Sequence, residues 1–140
     1  MTGNDFVTFF LRTPLHVFLG NTMLITVTGS RTGKQYSTPV GFYQKGEELW
    51  ILTNRDRTWW RNVKGGAEVS LLIKGKTLRA RAEAELDERA VEAHLGEYLR
   101  QIPMAARSMG IRVENKTPNR EDLARIAKDR LFVKVRPVLS

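Results

Sequence analysis

The chain has 140 residues, 41% of them hydrophobic and 27% charged, with a net charge of +8; this suits one domain over 1–140 with a single core and excludes a disordered chain. It has no cysteine, which excludes disulfides and thiolate chemistry, and no apolar run near the ~18 residues of a spanning helix, which excludes integral membrane association. The start, Met-Thr-Gly-Asn-Asp, lacks a signal-peptide layout, so a cytoplasmic protein is expected, and the charge surplus favours an anionic partner.

In chain order, residues 4–19 are rich in phenylalanine and leucine and predict a short helix to about Arg12, then a helical turn begun by Pro14. From Thr22 the pattern becomes strand: Met23, Ile25 and Val27 alternate with Leu24, Thr26 and Thr28. Gly29 to Lys34 is a glycine-bounded turn into a second strand, Gln35–Gln44. Lys45-Gly46-Glu47 turns that strand into a third, Glu48–Asn54. Arg55–Lys64 reads as a loop and a short helix stopped by Gly65-Gly66.

A hairpin follows. Val69, Leu71 and Ile73 alternate on its first arm, and Leu78, Ala80, Ala82 and Ala84 oppose Thr77, Arg79, Arg81, Glu83 and Glu85 on its second. Asp87 caps a helix with the stripe Val91, Leu95, Tyr98, Leu99 and Ile102. Pro103–Pro118 is less regular. Asn119 caps a last helix, and Leu131, Val133 and Val135 mark a last strand. About six mainly consecutive strands with helices at the ends predict a mainly β (α+β) fold, a small closed antiparallel barrel with flanking helices.

Two segments place cations beside backbone donors. Ser30-Arg31-Thr32-Gly33-Lys34 can point N–H groups and two charges at an anion. It is not a Walker loop, because the spacing between its glycines and the residue after lysine are wrong. The second segment is Thr53-Asn54-Arg55-Asp56-Arg57-Thr58-Trp59-Trp60-Arg61-Asn62-Val63-Lys64. Here Arg55 and Arg57 fall near a helix start, where a bound anion would offset their unfavourable position. Adjacent tryptophans leave different faces of a helix, so one can be core while the other meets a planar ligand. A solvated hairpin turn and two packed tryptophans are the plainer alternatives. His16 and His94 lack partners at metal-ligand spacing. Glu83 and Glu85 alternate with arginines as a charge ladder, and Tyr36, Tyr43 and Tyr98 are the candidate proton donors.

The order Leu24–Lys34, then Ser37-Thr38-Pro39-Val40, then Arg55–Val63 resembles the deazaflavin (coenzyme F420)-dependent nitroreductase family, within the flavin- and deazaflavin-binding split β-barrels related to pyridoxamine phosphate oxidase. The resemblance is close from about Thr22 to Glu85 and looser beyond. It implies a six-stranded antiparallel split β-barrel with flanking helices and a cofactor across its surface: the deazaflavin coenzyme F420, or FMN. It also implies a cofactor site drawn from Arg31, Thr32, Gly33, Lys34, Thr38, Pro39, Asn54, Arg55, Arg57, Trp59, Trp60 and Asn62. Ser30 and Tyr36 depart from it, standing where relatives often carry basic residues, and the tyrosine-rich C-terminal segment of prodrug-activating members is missing.

The implied activity is hydride transfer between reduced cofactor and a small electrophilic acceptor: a quinone, nitroaromatic or enone. The alternative is a non-catalytic binding or storage protein for a flavin, deazaflavin or tetrapyrrole. A nucleic-acid interface is disfavoured, because the exposed strand arginines share their strand with glutamates and the tryptophans sit on a helix. Superfamily relatives are often dimers, and the sequence leaves a monomer or a homodimer open.

Overall fold

The computed structural model describes residues 22–138 except Lys74. The expected N-terminal helices, with Pro14 and His16, lie outside the described residues. Strand β1 (Thr22–Thr28) buries Met23, Ile25 and Val27, as the alternation predicts. It pairs antiparallel with β2 (Gln35–Lys45), which turns into β3 (Glu48–Asn54). A five-residue 3-10 helix, Trp59–Val63, precedes β4 (Ala67–Ile73) and β5 (Lys76–Glu85). Helix α1 (Glu88–Gln101), the short α2 (Met104–Ser108), a two-stranded ribbon of β6 (Val113–Glu114) and β7 (Thr117–Pro118), and α3 (Arg120–Ala127) come next. The last strand is β8 (Arg130–Pro137).

Six strands close into a barrel in the order β1-β2-β3-β8-β5-β4, with β4 returning to β1. Closure pairs every strand on both sides, so the barrel has no free edge. Alternate residues fill it, among them Ile25, Phe42, Ile51, Leu71, Ala80, Val133 and Val135, all fully buried. Burying one such large side chain contributes about 1.5–3 kcal/mol. Alanines on β5 face the barrel interior while Arg79, Arg81 and Glu83 face solvent, where Glu83 sits opposite Lys134 on β8 and Arg79 pairs with Glu68 at 2.9 Å.

Helix α1 covers the outside of β2 and β8 with the expected stripe: Val91, Leu95, Tyr98 and Leu99 are buried. Its contact layer is aromatic. The His94 ring stacks on Trp50 with centroids 3.7 Å apart, and its Nδ1 meets the Tyr43 hydroxyl at 2.6 Å. Burial holds the Tyr43 phenol above its usual range and the His94 imidazole below its own.

Two features of the stretch read as irregular were not foreseen. The β6–β7 ribbon turns on Asn115 and Lys116, both at positive φ (51° and 64°), the backbone of a two-residue hairpin that usually carries glycine. Its base is anchored by Asp122, which a helix-start role alone would leave in solvent. Instead the carboxylate is buried and accepts from the backbone N–H and Nε of Arg112 at 2.9 Å, while Arg125 donates to its other oxygen at 3.3 Å. These hydrogen bonds, Arg112 foremost, hold the Asp122 carboxyl well below the usual carboxylate range.

A carboxyl with a depressed folded pKa stabilises the fold above its unfolded value and loses that contribution as pH falls through its folded one. Asp122→Asn should therefore lower the melting temperature at pH 7, and the gap to wild type should narrow as pH falls below the carboxyl's ordinary value of 3.8. Thermal melts from pH 7 to pH 2 check this; a gap constant across that range would contradict it.

Candidate functional site

The β1–β2 connection is six residues long and closed on itself. Gly29 N–H donates to the Lys34 carbonyl at 2.7 Å, Gly33 N–H returns to the Gly29 carbonyl at 2.9 Å, and Lys34 N–H bonds the Thr32 hydroxyl at 3.2 Å. Gly33 takes φ +71°, which an L side chain rarely adopts. Gly29 answers a different need: a Cβ there would lie 2.8 Å from Cε2 of Tyr36, so only glycine lets that ring rest on the loop backbone.

Across from this loop sits the 3-10 helix, and one side chain joins the two. Asn62 Oδ1 accepts from Ser30 N–H at 3.0 Å, while its Nδ2 donates to the Trp59 carbonyl at 3.1 Å. Between loop and helix lies a cleft of about 710 Å³ lined by Gly29, Ser30, Arg31, Thr32, Tyr36, Ser37, Thr38, Arg57, Thr58, Trp59, Arg61 and Asn62. A smaller hollow of about 160 Å³ adjoins it, lined by Pro39, Val40, Gly41, Leu52, Thr53 and Asn54 together with Arg57 and Trp59.

Arg31, Arg57 and Arg61 all line the cleft, are exposed, and take part in none of the ion pairs formed among the described residues; no carboxylate among the described residues lines it. Arg57 donates to the Thr38 hydroxyl at 3.2 Å, and the Arg61 guanidinium lies 5.6 Å from the Trp60 ring centre. Ser30, Thr32, Tyr36, Ser37, Thr38 and Thr58 add hydroxyls. The surface is cationic and rich in donors, the chemistry that receives phosphate or carboxylate.

The site residues expected from sequence divide clearly. Arg31, Thr32, Thr38, Arg57, Trp59 and Asn62 come together around the cleft, and Pro39 and Asn54 around the hollow beside it. Gly33 and Lys34 shape the loop without lining either space. Arg55 points elsewhere: its Nε donates to the Arg130 carbonyl and its Nη2 to the Leu86 carbonyl, both at 2.8 Å, clamping β3 to the ends of β5 and β8. Both tryptophans are buried, so neither stands out as an exposed plate. Trp59 Nε1 donates to the Thr53 hydroxyl, and Trp60 Nε1 to the Arg55 carbonyl. The helix is one 3-10 turn, too short for a strong dipole, and the pull on an anion comes from the guanidiniums instead.

Sequence reasoning passed over Arg61, which shares the cleft with Arg57 four residues earlier. Of the three candidate tyrosines only Tyr36 lines the cleft; Tyr43 is buried beneath α1, and Tyr98 is buried on that helix's own inner face. No group of histidine and carboxylate ligands able to hold a metal occurs among the described residues. No helix among them is long and apolar enough to cross a membrane.

Arg55→Leu should cost about 1–3 kcal/mol by leaving two carbonyls unpaired, read as a lower denaturation midpoint. Affinity for any ligand of the cleft should be unchanged in the fraction that stays folded.

None of the curated proteins matches the sequence. Among solved structures, an F420 reductase superposes with a TM-score of 0.50 at 19% identity, covering 88% of this chain and 92% of that one. The heme storage protein HutZ from Vibrio cholerae gives 0.57 at 15% identity over 100% and 93%. General stress protein 26 from Bacillus anthracis gives 0.52 at 13% over 91% and 88%. At these identities the likeness carries the fold, a split barrel, and nothing finer. The sequence itself is matched by the model of the F420H2-dependent quinone reductase family over residues 13–117, three quarters of the chain including the whole cleft. On that match the chain belongs to the F420H2-dependent quinone reductase family, whose cofactor is the deazaflavin coenzyme F420.

Proposed function

We propose that the cleft between the β1–β2 loop and the 3-10 helix is the F420 seat, and that the acceptor is a small quinone. The observation that carries this reading is the donor set: among the described residues, three guanidiniums and six hydroxyls line one space and no carboxylate does. Coenzyme F420 carries a phosphodiester and a glutamate tail, several negative charges on one flexible arm. Arg31 and Arg61 at the rim suit those charges, and the Ser30, Thr32 and Thr58 hydroxyls suit phosphate oxygens. FMN, with one phosphate, would leave part of this cationic surface uncompensated. The donor set thus fits F420 better.

When bound, the reduced cofactor supplies a hydride; the chain supplies position and a drier surface. Asn62 fixes the loop that carries Arg31 against the helix that carries Arg61, so both charges are set before the ligand arrives. Trp59, pinned by Thr53, gives the cleft a rigid apolar floor. Tyr36, 46% exposed, is the aromatic wall facing solvent, and its phenol is the most acidic of the cleft's hydroxyls and the one suited to give a proton to an acceptor.

Replacing both Arg31 and Arg61 by alanine should weaken F420 binding at least tenfold and flatten its salt dependence, as losing two charge-assisted contacts requires. The melting temperature should hold, since both side chains are exposed. Fluorescence titration at several salt concentrations reads this, and unchanged affinity would remove the seat from this cleft. Wild-type protein should also speed oxidation of reduced F420 by menadione. Binding without that acceleration would mark a storage protein instead.

A further inference from the structure

The cleft and the hollow beside it are neighbours along a single strand. Ser37 and Thr38 line the first, while Pro39, Val40 and Gly41 line the second, so five consecutive residues of β2 run from one space into the other. Among the described residues, two belong to both linings, Arg57 and Trp59. Trp59 is buried with its indole nitrogen bonded to Thr53. Arg57 is exposed, and among the described residues its guanidinium makes one side-chain hydrogen bond, 3.2 Å to the Thr38 hydroxyl. That bond lies where the strand passes from cleft to hollow. Alone, the hollow at about 160 Å³ falls below the ~300–1,000 Å³ of small-molecule sites.

We propose that Arg57 is a movable partition: latched to Thr38 it separates the two spaces, and released by an anion it opens one groove along β2 that takes a planar ring. The proposal rests on the cleft being the F420 seat. A hydroxyl is a neutral acceptor, and a hydrogen bond to it in solvent is worth little. A phosphate oxygen gains roughly twice as much from the same guanidinium. The phosphorylated part of the ligand therefore draws Arg57 off Thr38 as the ring enters the space that Arg57 leaves. A phosphate-free ring compound offers Arg57 carbonyl and hydroxyl oxygens but no phosphate oxygen, a much weaker draw off Thr38, and so meets it mainly as an obstacle.

This predicts a crossing of effects between two ligands, coenzyme F420 and its phosphate-free deazaflavin ring with the ribitol chain. Titration by ligand fluorescence should show Arg57→Ala binding the phosphate-free compound about three- to tenfold more tightly than wild type, the factor by which the latched state depletes the open one. The same variant should bind F420 more weakly. Thr38→Val, which removes the latch and keeps the charge, should speed association of both ligands in stopped flow, and Thr38→Ser should restore wild-type rates. Melting temperatures should move little, because Arg57 is exposed. If Arg57→Ala weakens both ligands alike, or leaves the phosphate-free one unchanged while F420 still binds wild type, the partition is wrong and the seat stands. If F420 fails to bind wild type, both ideas fall.

Discussion

Asn62 joins two segments 32 residues apart with one amide group, accepting from the loop at Ser30 and donating to the helix at Trp59. Everything the cleft does depends on that join. The loop is a hairpin connection whose internal bonds fix its shape but not its direction, and the helix is a single 3-10 turn with no side-chain cap at Thr58. Neither would hold a position relative to the other alone. An amide presents donor and acceptor in one plane, so a single side chain satisfies a backbone N–H on one segment and a backbone carbonyl on the other.

The barrel makes that join possible by fixing where the segments start. Thr28 and Gln35 are the last paired residues of β1 and β2, and Arg55 leaves β3 with its guanidinium tied to β5 and β8 on the neighbouring side. Trp60 bonds the Arg55 carbonyl, and Trp59 bonds Thr53 on β3, so the helix is fastened to the strand it follows. Val63, 1% exposed, closes the packing beneath it. Closure of the sheet thus comes before the site: the cleft is a product of which strand ends lie side by side.

The barrel strands were legible in sequence because their burial alternates, and a pattern of period two survives almost any detail of packing. Strand β3 begins and ends where expected, and β2 runs one residue further. What escaped was decided by contacts that composition does not encode. Asp122 reads as a first-turn acid, yet it is buried because Arg112 and Arg125 arrive from elsewhere to pair with it. Asn115-Lys116 lacks the glycine that announces a two-residue turn. Arg55 and Arg57 look equivalent two positions apart, but β3 ends between strand ends that offer Arg55 two carbonyls, while Arg57 sits one turn later facing Thr38. In the same way Trp60 is core and Arg61 lines the cleft. A family resemblance names such positions together, and only the fold sorts them.

The net charge gains its meaning from the same sorting. Cations exceed acids by eight over the sequence, and the ion pairs among the described residues lie on the barrel wall and the helices: Arg79 with Glu68, Arg136 with Glu48, Lys45 with Glu97, Arg112 and Arg125 with Asp122. Among the described residues the cleft holds three guanidiniums and no acid. Arg79, Arg112, Arg125 and Arg136 each meet a carboxylate and Arg55 meets two backbone carbonyls, whereas the cleft guanidiniums meet no carboxylate among the described residues. Unpaired like charges around one concave surface repel each other in the empty protein, a small cost in solvent that an anion reverses on arrival. Their summed field also reaches beyond the rim and raises the encounter rate of a negatively charged ligand. Three of the surplus cations share one concave surface, the one that Asn62 holds together.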